Sequence, residues 1–484
     1  MIAAYTVEQL RTAERAALAS APAGLPMQRA AGVVAAVAVS RLPRPLPGRR
    51  VVLLVGSGNN GADALYAGTM LRRRGVAVTA VLTAPDRTHL PALTALRQAG
   101  GRAVEVSTSP ALSALSSAEL VIDGLVGIGA RPPLRPPADQ LATVIGGAGV
   151  PVLAVDLPSG IDPDTGAEVG PVIRAAVTVT FGAPSSGLLI SDCTGELVVA
   201  ELGLAPAADQ PPDVVAFDDL DVESLRPRSV SGDDKFSAGV VGVLAGSEQY
   251  PGAAVLAVGA AVRLRPGLVR YAGPQAAAVV ARWPEVVVTD DPDTAGRVQA
   301  WVAGPGMGTD GAAIERLRSV LSADVPVVVD ADALTMLAGN PTLLARRQCP
   351  AGDTGSGNCS PVGSTVLTPH AGEFARLWPE LDPADRLAAA RSAAAGSGAV
   401  VLLKGHRTVI AAPDGRTAVN LSGSGWLATA GSGDVLSGVI GSLLASGMDP
   451  FRAAAVGAQL HGRAGERAQH AGRAGAQALW DHLT

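Results

Sequence analysis

Val51-Val52-Leu53-Leu54-Val55-Gly56-Ser57-Gly58-Asn59-Asn60-Gly61-Ala62-Asp63 is the stretch that sets the architecture. Five apolar residues in an unbroken run read as a strand covered on both faces, the habit of parallel sheets. The glycines then turn the chain into a helix expected over Ala62 to Arg74, with Gly75 as its stop. Outward from there the pattern repeats. Strands are expected at Val76 to Leu82, Leu120 to Ile122, Val152 to Val155, Val177 to Phe181 and Leu197 to Ala200, with a helix over Leu90 to Ala99. Ala30 to Val39 reads as a buried helix ahead of the series. Apolar strands separated by helices predict a mostly parallel, doubly wound α/β sheet.

A second series begins near Gly239. Its strands are expected at Val240 to Leu244, Val286 to Thr289, Trp301 to Ala303, Val327 to Val329, Val366 to Leu367, Val400 to Leu403 and Val409 to Ala411. Helices fit Ala253 to Leu264, Leu387 to Ala395 and Asp434 to Ala445. Ala205 to Arg228 is rich in Pro and Asp and lacks periodicity, so it reads as a linker. The halves do not repeat one another. The expected division is a domain over 1–204, a linker over 205–228 and a different domain over 229–484, in keeping with a chain of 484 residues. Arg346 to Gly363 is a long irregular stretch for a compact domain.

Hydrophobic residues make up 48% and charged residues 17%, which excludes a disordered chain. Aromatics are only 3%, so Ala, Val and Leu must fill closely packed helix-on-sheet layers. The net charge is −5 and no basic block tracks a nucleic-acid backbone, so no nucleic-acid partner is expected. No apolar run reaches the ~20 residues of a membrane span, and the first ten residues lack a signal pattern. A cytoplasmic protein with no membrane partner is expected. Three cysteines, Cys193, Cys349 and Cys359, exclude a disulfide framework, and no His stands beside the last two to suggest a metal site.

Backbone N–H groups in a turn such as Gly56 to Gly61 point at anions, although such a turn also needs glycine for geometry alone. Strand 120–122 delivers Asp123 and Gly124-Leu125-Val126-Gly127-Ile128-Gly129, and strand 152–155 delivers Asp156-Leu157-Pro158-Ser159-Gly160-Ile161-Asp162. Parallel sheets bind ligands at these C-terminal strand ends. The oxygen-bearing loops can hold a hard cation near a phosphate, or each Asp can merely cap a helix.

In the second half, Gly425-Trp426-Leu427-Ala428-Thr429-Ala430-Gly431-Ser432-Gly433-Asp434 opens an apolar helix. Its glycines suit a pocket of donors for a transferring phosphoryl group, with Asp434 as base toward a hydroxyl or, alternatively, as a plain N-cap. Gly304-Pro305-Gly306-Met307-Gly308, Asp330-Ala331-Asp332, Thr368-Pro369-His370-Ala371-Gly372-Glu373 and Lys404-Gly405-His406-Arg407-Thr408 all follow strands. Lys404 can neutralise phosphate charge.

The motifs GSGNNGAD, VIDGLVGIG and DLPSGID, with Leu25 to Gly32 before them, resemble the epimerase domain of NAD(P)H-hydrate repair enzymes. That resemblance implies a Rossmann-like domain converting the R and S hydrates of NADH and NADPH (NADHX and NADPHX) at C6. It implies hydrate contacts from Asn59, Asn60, Gly61, Ala62, Asp63, Gly127, Ile128, Gly129, Ala130, Arg131, Pro132, Pro133 and Asp156, the last as a catalytic group. Asn60, Asp123 and Ser159 would hold potassium. The family usually reads NNGGDG, where this chain has Ala62 and Ala64, and a lysine usually follows Thr-Phe-Gly-Ala-Pro, where this chain has Ser185 and Ser186.

From about Gly232 to Ala468 the chain resembles ribokinase-like ADP- or ATP-dependent NAD(P)H-hydrate dehydratases, on the loops above together with Lys235, Gly246-Ser247 and Tyr250 to Ala254. The resemblance implies hydrate contacts from Gly252, Gly306, His370 and Asp434, with Asp434 catalytic. It implies nucleotide contacts from Lys404, Gly405, His406, Arg407, Thr408 and Gly433, with magnesium and with ADP or ATP as cosubstrate. Arg265-Pro266-Gly267 stands where the family commonly has Gly-Ala-Gly. A homo-oligomer is expected. The rival reading is a ribokinase-like small-molecule kinase carrying a non-catalytic N-terminal binding module.

Overall fold

The computed structural model describes the chain except residues 21, 23, 227–235, 346, 348–363 and 484. Lys235 and both Cys349 and Cys359 therefore lie outside the described residues. The chain divides into two compact units, Ala3–Val214 and Met1–Ile2 with Val215–Thr484.

In the first unit seven parallel strands lie in the spatial order Arg102–Glu105, Ala77–Leu82, Arg50–Val55, Leu120–Gly124, Val152–Val155, Val177–Phe181 and Glu196–Ala200. The order reverses beside Arg50–Val55, the doubly wound arrangement expected for a Rossmann-like sheet. Helix Leu25–Arg41 covers one face, burying Ala30, Ala31, Val34, Ala35 and Ala38. Those small side chains let it close against helix Asn59–Arg72 and the sheet, as the scarcity of aromatics requires. Arg102–Glu105 was not legible as a strand because it is short and only half buried.

The second unit carries an eleven-stranded sheet. Val287–Thr289, Leu268–Ala272, Val240–Leu244, Ala300–Ala303, Val327–Val329, Thr365–Leu367 and Val400–Leu403 run parallel. Thr408–Ala411 and Thr417–Asn420 then continue antiparallel as a hairpin. Within 205–228, where the sequence lacks periodicity, the chain forms a strand at Val214–Ala216 and a helix at Asp219–Leu225. A reciprocal capping box between Asp218 and Asp221 starts that helix, a local signal independent of apolar pattern. Helix Ser432–Ala445 is buried almost throughout and packs with Pro251–Arg263 into one apolar core. Arg265 sits at φ 57, a left-handed conformation unfavourable for a side chain, at the position where the resemblance calls for glycine.

Candidate active sites

In the first unit the strand register brings Val55 beside Gly124 and Asp123 beside Ala154, so the loops after three strands meet at one end of the sheet. Gly56 allows this: a Cβ there would lie 1.9 Å from the Leu125 carbonyl oxygen. The helix begins at Asn59, three residues earlier than the periodicity suggests, because Gly58 serves as its N-cap. Its first turn therefore carries Asn59, Asn60 and Asp63 into a cleft of about 480 Å3. Gly127, Ile128, Gly129, Ala130 and Asp156 line the same cleft, whereas Arg131, Pro132 and Pro133 do not. Ala62 and Ala64 point away from it. Both methyls are buried in the apolar core with Leu65 and Val55, so they add no bulk to the cleft.

The polar groups are tightly bound to one another. Asn60 Nδ2 donates to the carbonyls of Val126 (3.0 Å) and Val155 (2.8 Å). Asp123 is fully buried; Oδ1 accepts from Ser159 Oγ at 2.8 Å and the Leu125 N–H at 3.1 Å, and Oδ2 from the Ser159 N–H at 2.8 Å. Burial raises its pKa to about 6 against those bonds. Asp156 follows its strand at φ 70, a strained conformation for a side-chain-bearing residue. It accepts from the Ile128 N–H at 3.4 Å and Thr180 Oγ1 at 3.2 Å, and burial raises its pKa. Asp63 has a buried oxygen with no partner, and burial together with Asp156 pushes its pKa up to about 8. Glu14, with Arg11, reaches the cleft from helix Val7–Ser20; burial and then Asp156 raise its pKa. Neither residue carried a sequence signal, because that helix is remote from the glycine motifs along the chain. Where a lysine is usual, Ser185 stands at the N-cap position of a short helix with its buried hydroxyl making no capping bond, and Ser186 Oγ donates to Asp213 at 2.6 Å.

In the second unit Ala303, Val329, Leu367 and Val401 align across adjacent strands, which sets Gly304, Asp330, Thr368 and Lys404 at one sheet end. Lys404 Nζ donates to Asp330 Oδ1 at 2.7 Å and stands 3.9 Å from Glu373 Oε2. Ser437 Oγ donates to the other oxygen of Asp330 at 2.7 Å. Burial works against the Lys404 charge, but the carboxylates of Asp330, Glu373 and Asp434 outweigh it and its pKa is raised. A Cβ on Gly433 would stand 3.4 Å from Lys404 Nζ, so the ammonium lies directly beneath the glycine turn.

Gly431, at φ 84, caps helix Ser432–Ala445, and no side chain caps it. Asp434 is thus free of the capping role. Burial, with Asp330, raises its pKa to about 7, partly countered by Lys404. His370 does cap its helix: Nδ1 accepts from the N–H groups of Gly372 (3.0 Å) and Glu373 (3.2 Å), and Glu373 returns a bond to the His370 N–H at 2.8 Å. An accepting Nδ1 leaves the proton of the neutral ring on Nε2, as a donor. His370, Lys404, Gly405, His406, Thr408 and Gly433 share a cleft of about 590 Å3. Arg407 instead donates to the Leu421 carbonyl at 3.1 Å, holding the hairpin. Gly252, in the first turn of helix Pro251–Arg263, faces the loop of Gly306, where a Cβ on Gly306 would meet Ala253 Cβ at 2.7 Å and Tyr250 Cβ at 2.8 Å. No motif pointed to His461, which lies under the cleft against Ser432 and is kept neutral by burial, its pKa lowered to about 4.

The family described as NAD(P)H-hydrate dehydratase matches residues 241–482, and the YjeF-related protein N-terminus matches residues 26–187. A bifunctional NAD(P)H-hydrate repair enzyme of Mycobacterium tuberculosis (strain CDC 1551 / Oshkosh) is 50% identical over 454 residues, covering 93% of this chain and 91% of that protein. The chain belongs to the bifunctional NAD(P)H-hydrate repair enzymes. The counterpart of Mycobacterium leprae is 49% identical over 464 residues, 95% of this chain and 93% of that protein. Among solved structures, an ADP/ATP-dependent NAD(P)H-hydrate dehydratase from Bacillus subtilis, co-crystallised with ATP and magnesium, is 30% identical; it covers 57% of this chain and 97% of its own, with a TM-score of 0.47. In this repair family the two units are the epimerase and dehydratase halves, and both glycine turns stand at the strand ends that ligands use. No helix among the described residues is long and apolar enough to cross a membrane.

Proposed function

We propose that this chain repairs NADHX and NADPHX by epimerising their R and S forms in the first unit and dehydrating the S form with ADP or ATP in the second. The observation that carries the reading is Asp434, uncapped, at the first turn behind Gly431 and Gly433 with the Lys404–Asp330 pair beneath. Hydroxide leaves poorly, so the nucleotide has a chemical purpose. Asp434 takes the proton of the C6 hydroxyl while the oxygen attacks the terminal phosphorus and the nucleotide leaves one phosphate shorter. The glycine turn and Lys404 hold the phosphoryl charge. The ring nitrogen lone pair then expels phosphate from C6, and loss of the C5 proton restores the reduced nicotinamide. His370 Nε2, exposed and 3.6 Å from Glu373 Oε1, is the donor this reading gives to the hydrate.

Among the described residues no cluster of His, Cys, Asp and Glu forms a ready metal site. The carboxylate oxygens of Asp330 are taken by Lys404 and Ser437. Magnesium fits this site as a companion of the nucleotide's phosphates, where it supplies charge neutralisation. In the first unit, Ser159 Oγ lies on the buried Asp123 carboxylate, and Asn60 Nδ2 donates to the Val126 and Val155 carbonyls, so these residues offer carboxylate, hydroxyl, amide and carbonyl oxygens that would have to exchange those bonds for a cation. That chemistry suits a hard cation, and potassium is the one the reading assigns. Asp156 exchanges a proton with the bound hydrate, and Asn59 to Asp63 and Gly127 to Ala130 position it. A cytoplasmic location and assembly of like chains belong to the same reading.

Separated R and S hydrates given to the purified chain with ADP or ATP test it directly. Return of the reduced-nicotinamide absorbance from S, and from R after a lag, is expected. A stable phosphoester with no absorbance would instead establish a small-molecule kinase, the reading that the full-length similarity to repair enzymes disfavours.

A further inference from the structure

The first unit has another cleft, of about 630 Å3, at the opposite end of its sheet from the epimerase site. Arg50 and Ala77 are in register where their strands begin, and Arg102 pairs with Thr79 one strand further out. Paired residues share a face and alternate along the strand. Arg50, Ala77, Thr79 and Arg102 therefore point to the side of Val52 and Val81, the side covered by helix Ser109–Ser116. Small Ala77 and Thr79 make a floor between two arginines. Arg72 closes the third side from the end of helix Asn59–Arg72, its guanidinium against Gly100, where a Cβ would stand 3.1 Å from Nη2.

These guanidiniums are anchored on neutral groups. Arg50 Nε donates to the Ser117 carbonyl at 2.6 Å and Arg72 Nη1 to the Val76 carbonyl at 2.7 Å. Arg72 Nε is buried with no partner. Among the described residues lining the cleft there is no Asp or Glu, while Thr79, Ser109 and Ser113 add hydroxyls. Glu119, the carboxylate that acts on Arg50, is engaged by Arg49 Nη1 and by the Arg50 N–H, both at 2.8 Å. Three cations around one concavity, uncompensated within it, repel one another until an anion enters. We infer that this cleft binds a phosphate-bearing small molecule, with the guanidinium forks on phosphate oxygens and the hydroxyls on the remainder. Its size is that of a small-molecule site. Arg50 and Val55 are five residues apart on one strand, so about 17 Å separates this cleft from the epimerase loops.

Calorimetric titration of the full chain with inorganic pyrophosphate tests the site, with Lys404→Gln reporting on the phosphate site of the second unit. Saturable uptake is expected to survive Lys404→Gln, to weaken at least roughly tenfold in Arg102→Gln, and to weaken further in the Arg50→Gln/Arg102→Gln double variant. Arg102 is exposed at a strand start, and unchanged circular dichroism and thermal midpoint would show the fold intact. Uptake lost wholly in Lys404→Gln, uptake unchanged in the double variant, or no saturable uptake at all would each overturn the proposal. Displacement by ADP of the Arg102-dependent portion would assign the site to nucleoside phosphates, and displacement by inorganic phosphate alone would assign it to the free anion.

Discussion

The two active sites share a position in the sheet but handle charge in opposite ways. In the epimerase cleft, burial raises the pKa values of Glu14, Asp63 and Asp156; Asp156 adds to the rise at the other two, and Arg11 works against it at Glu14. In the dehydratase site, Lys404 sits among Asp330, Glu373 and Asp434 and stays charged. Carboxyls whose pKa values burial has raised suit proton transfer to an uncharged ring. A fixed cation under a glycine turn suits a phosphate, and it leaves Asp434 titrating close to neutrality as a base. One arrangement at the strand ends thus serves two chemistries, divided by the presence of a single half-buried lysine.

The sharpest way to break this contrast is Asp434→Asn. Loss of the base is expected to lower dehydration by roughly 10^3-fold, while hydrate binding and epimerisation persist. In the parent enzyme, kcat/KM for dehydration should climb as pH rises through about 7, where Asp434 loses its proton, and this limb should vanish in the variant. Near-normal turnover by Asp434→Asn would remove the proposed role.

Lys404→Met should come next. It leaves Asp330 buried without its counter-ion, and urea unfolding should show a loss of about 3 kcal/mol along with weaker nucleotide use. An unchanged midpoint would mean that the lysine contributes nothing to holding the carboxylate cluster together.

On the other side, Asp63 binds its proton more tightly when folded, because its pKa rises from 3.8 to about 8. Its contribution is therefore most favourable at low pH and is lost as pH climbs from about 4 to 8. Asp63→Asn keeps the neutral shape at every pH. The variant should exceed the parent by several kcal/mol at pH 8.5 and match it near pH 4, by denaturant midpoints. A gap independent of pH would contradict the shift.

The smallest effect is expected at Ala62→Gly, which restores a residue more usual in the family. Because the methyl lies in the core, epimerisation should not improve, and stability should fall by about 1 kcal/mol. A large gain in epimerase rate would place that methyl in the cleft after all.

Much of this was legible along the chain. Val51 to Val55, Val152 to Val155 and Val240 to Leu244 are uninterrupted apolar runs, and each is a central strand. Arg102–Glu105 and Thr417–Asn420 escaped notice because a short strand beside a more central one needs little apolar pattern of its own. The glycine turns and the polar loops after the strands marked both sites. Glu14, Arg11 and His461 did not stand out, since each reaches its cleft from a helix that carries no motif.

The sequence alone determined the two mostly parallel sheets, the strand ends that carry chemistry and the family resemblance, because apolar period and glycine placement are local properties. Only the tertiary structure decided which way each side chain faces. Strand register and helix packing turned Ala62 and Ala64 into the core, made His370 a cap, and set Lys404 on Asp330, seventy-four residues away along the chain. Those outcomes depend on neighbours distant in sequence, and no local pattern contains them.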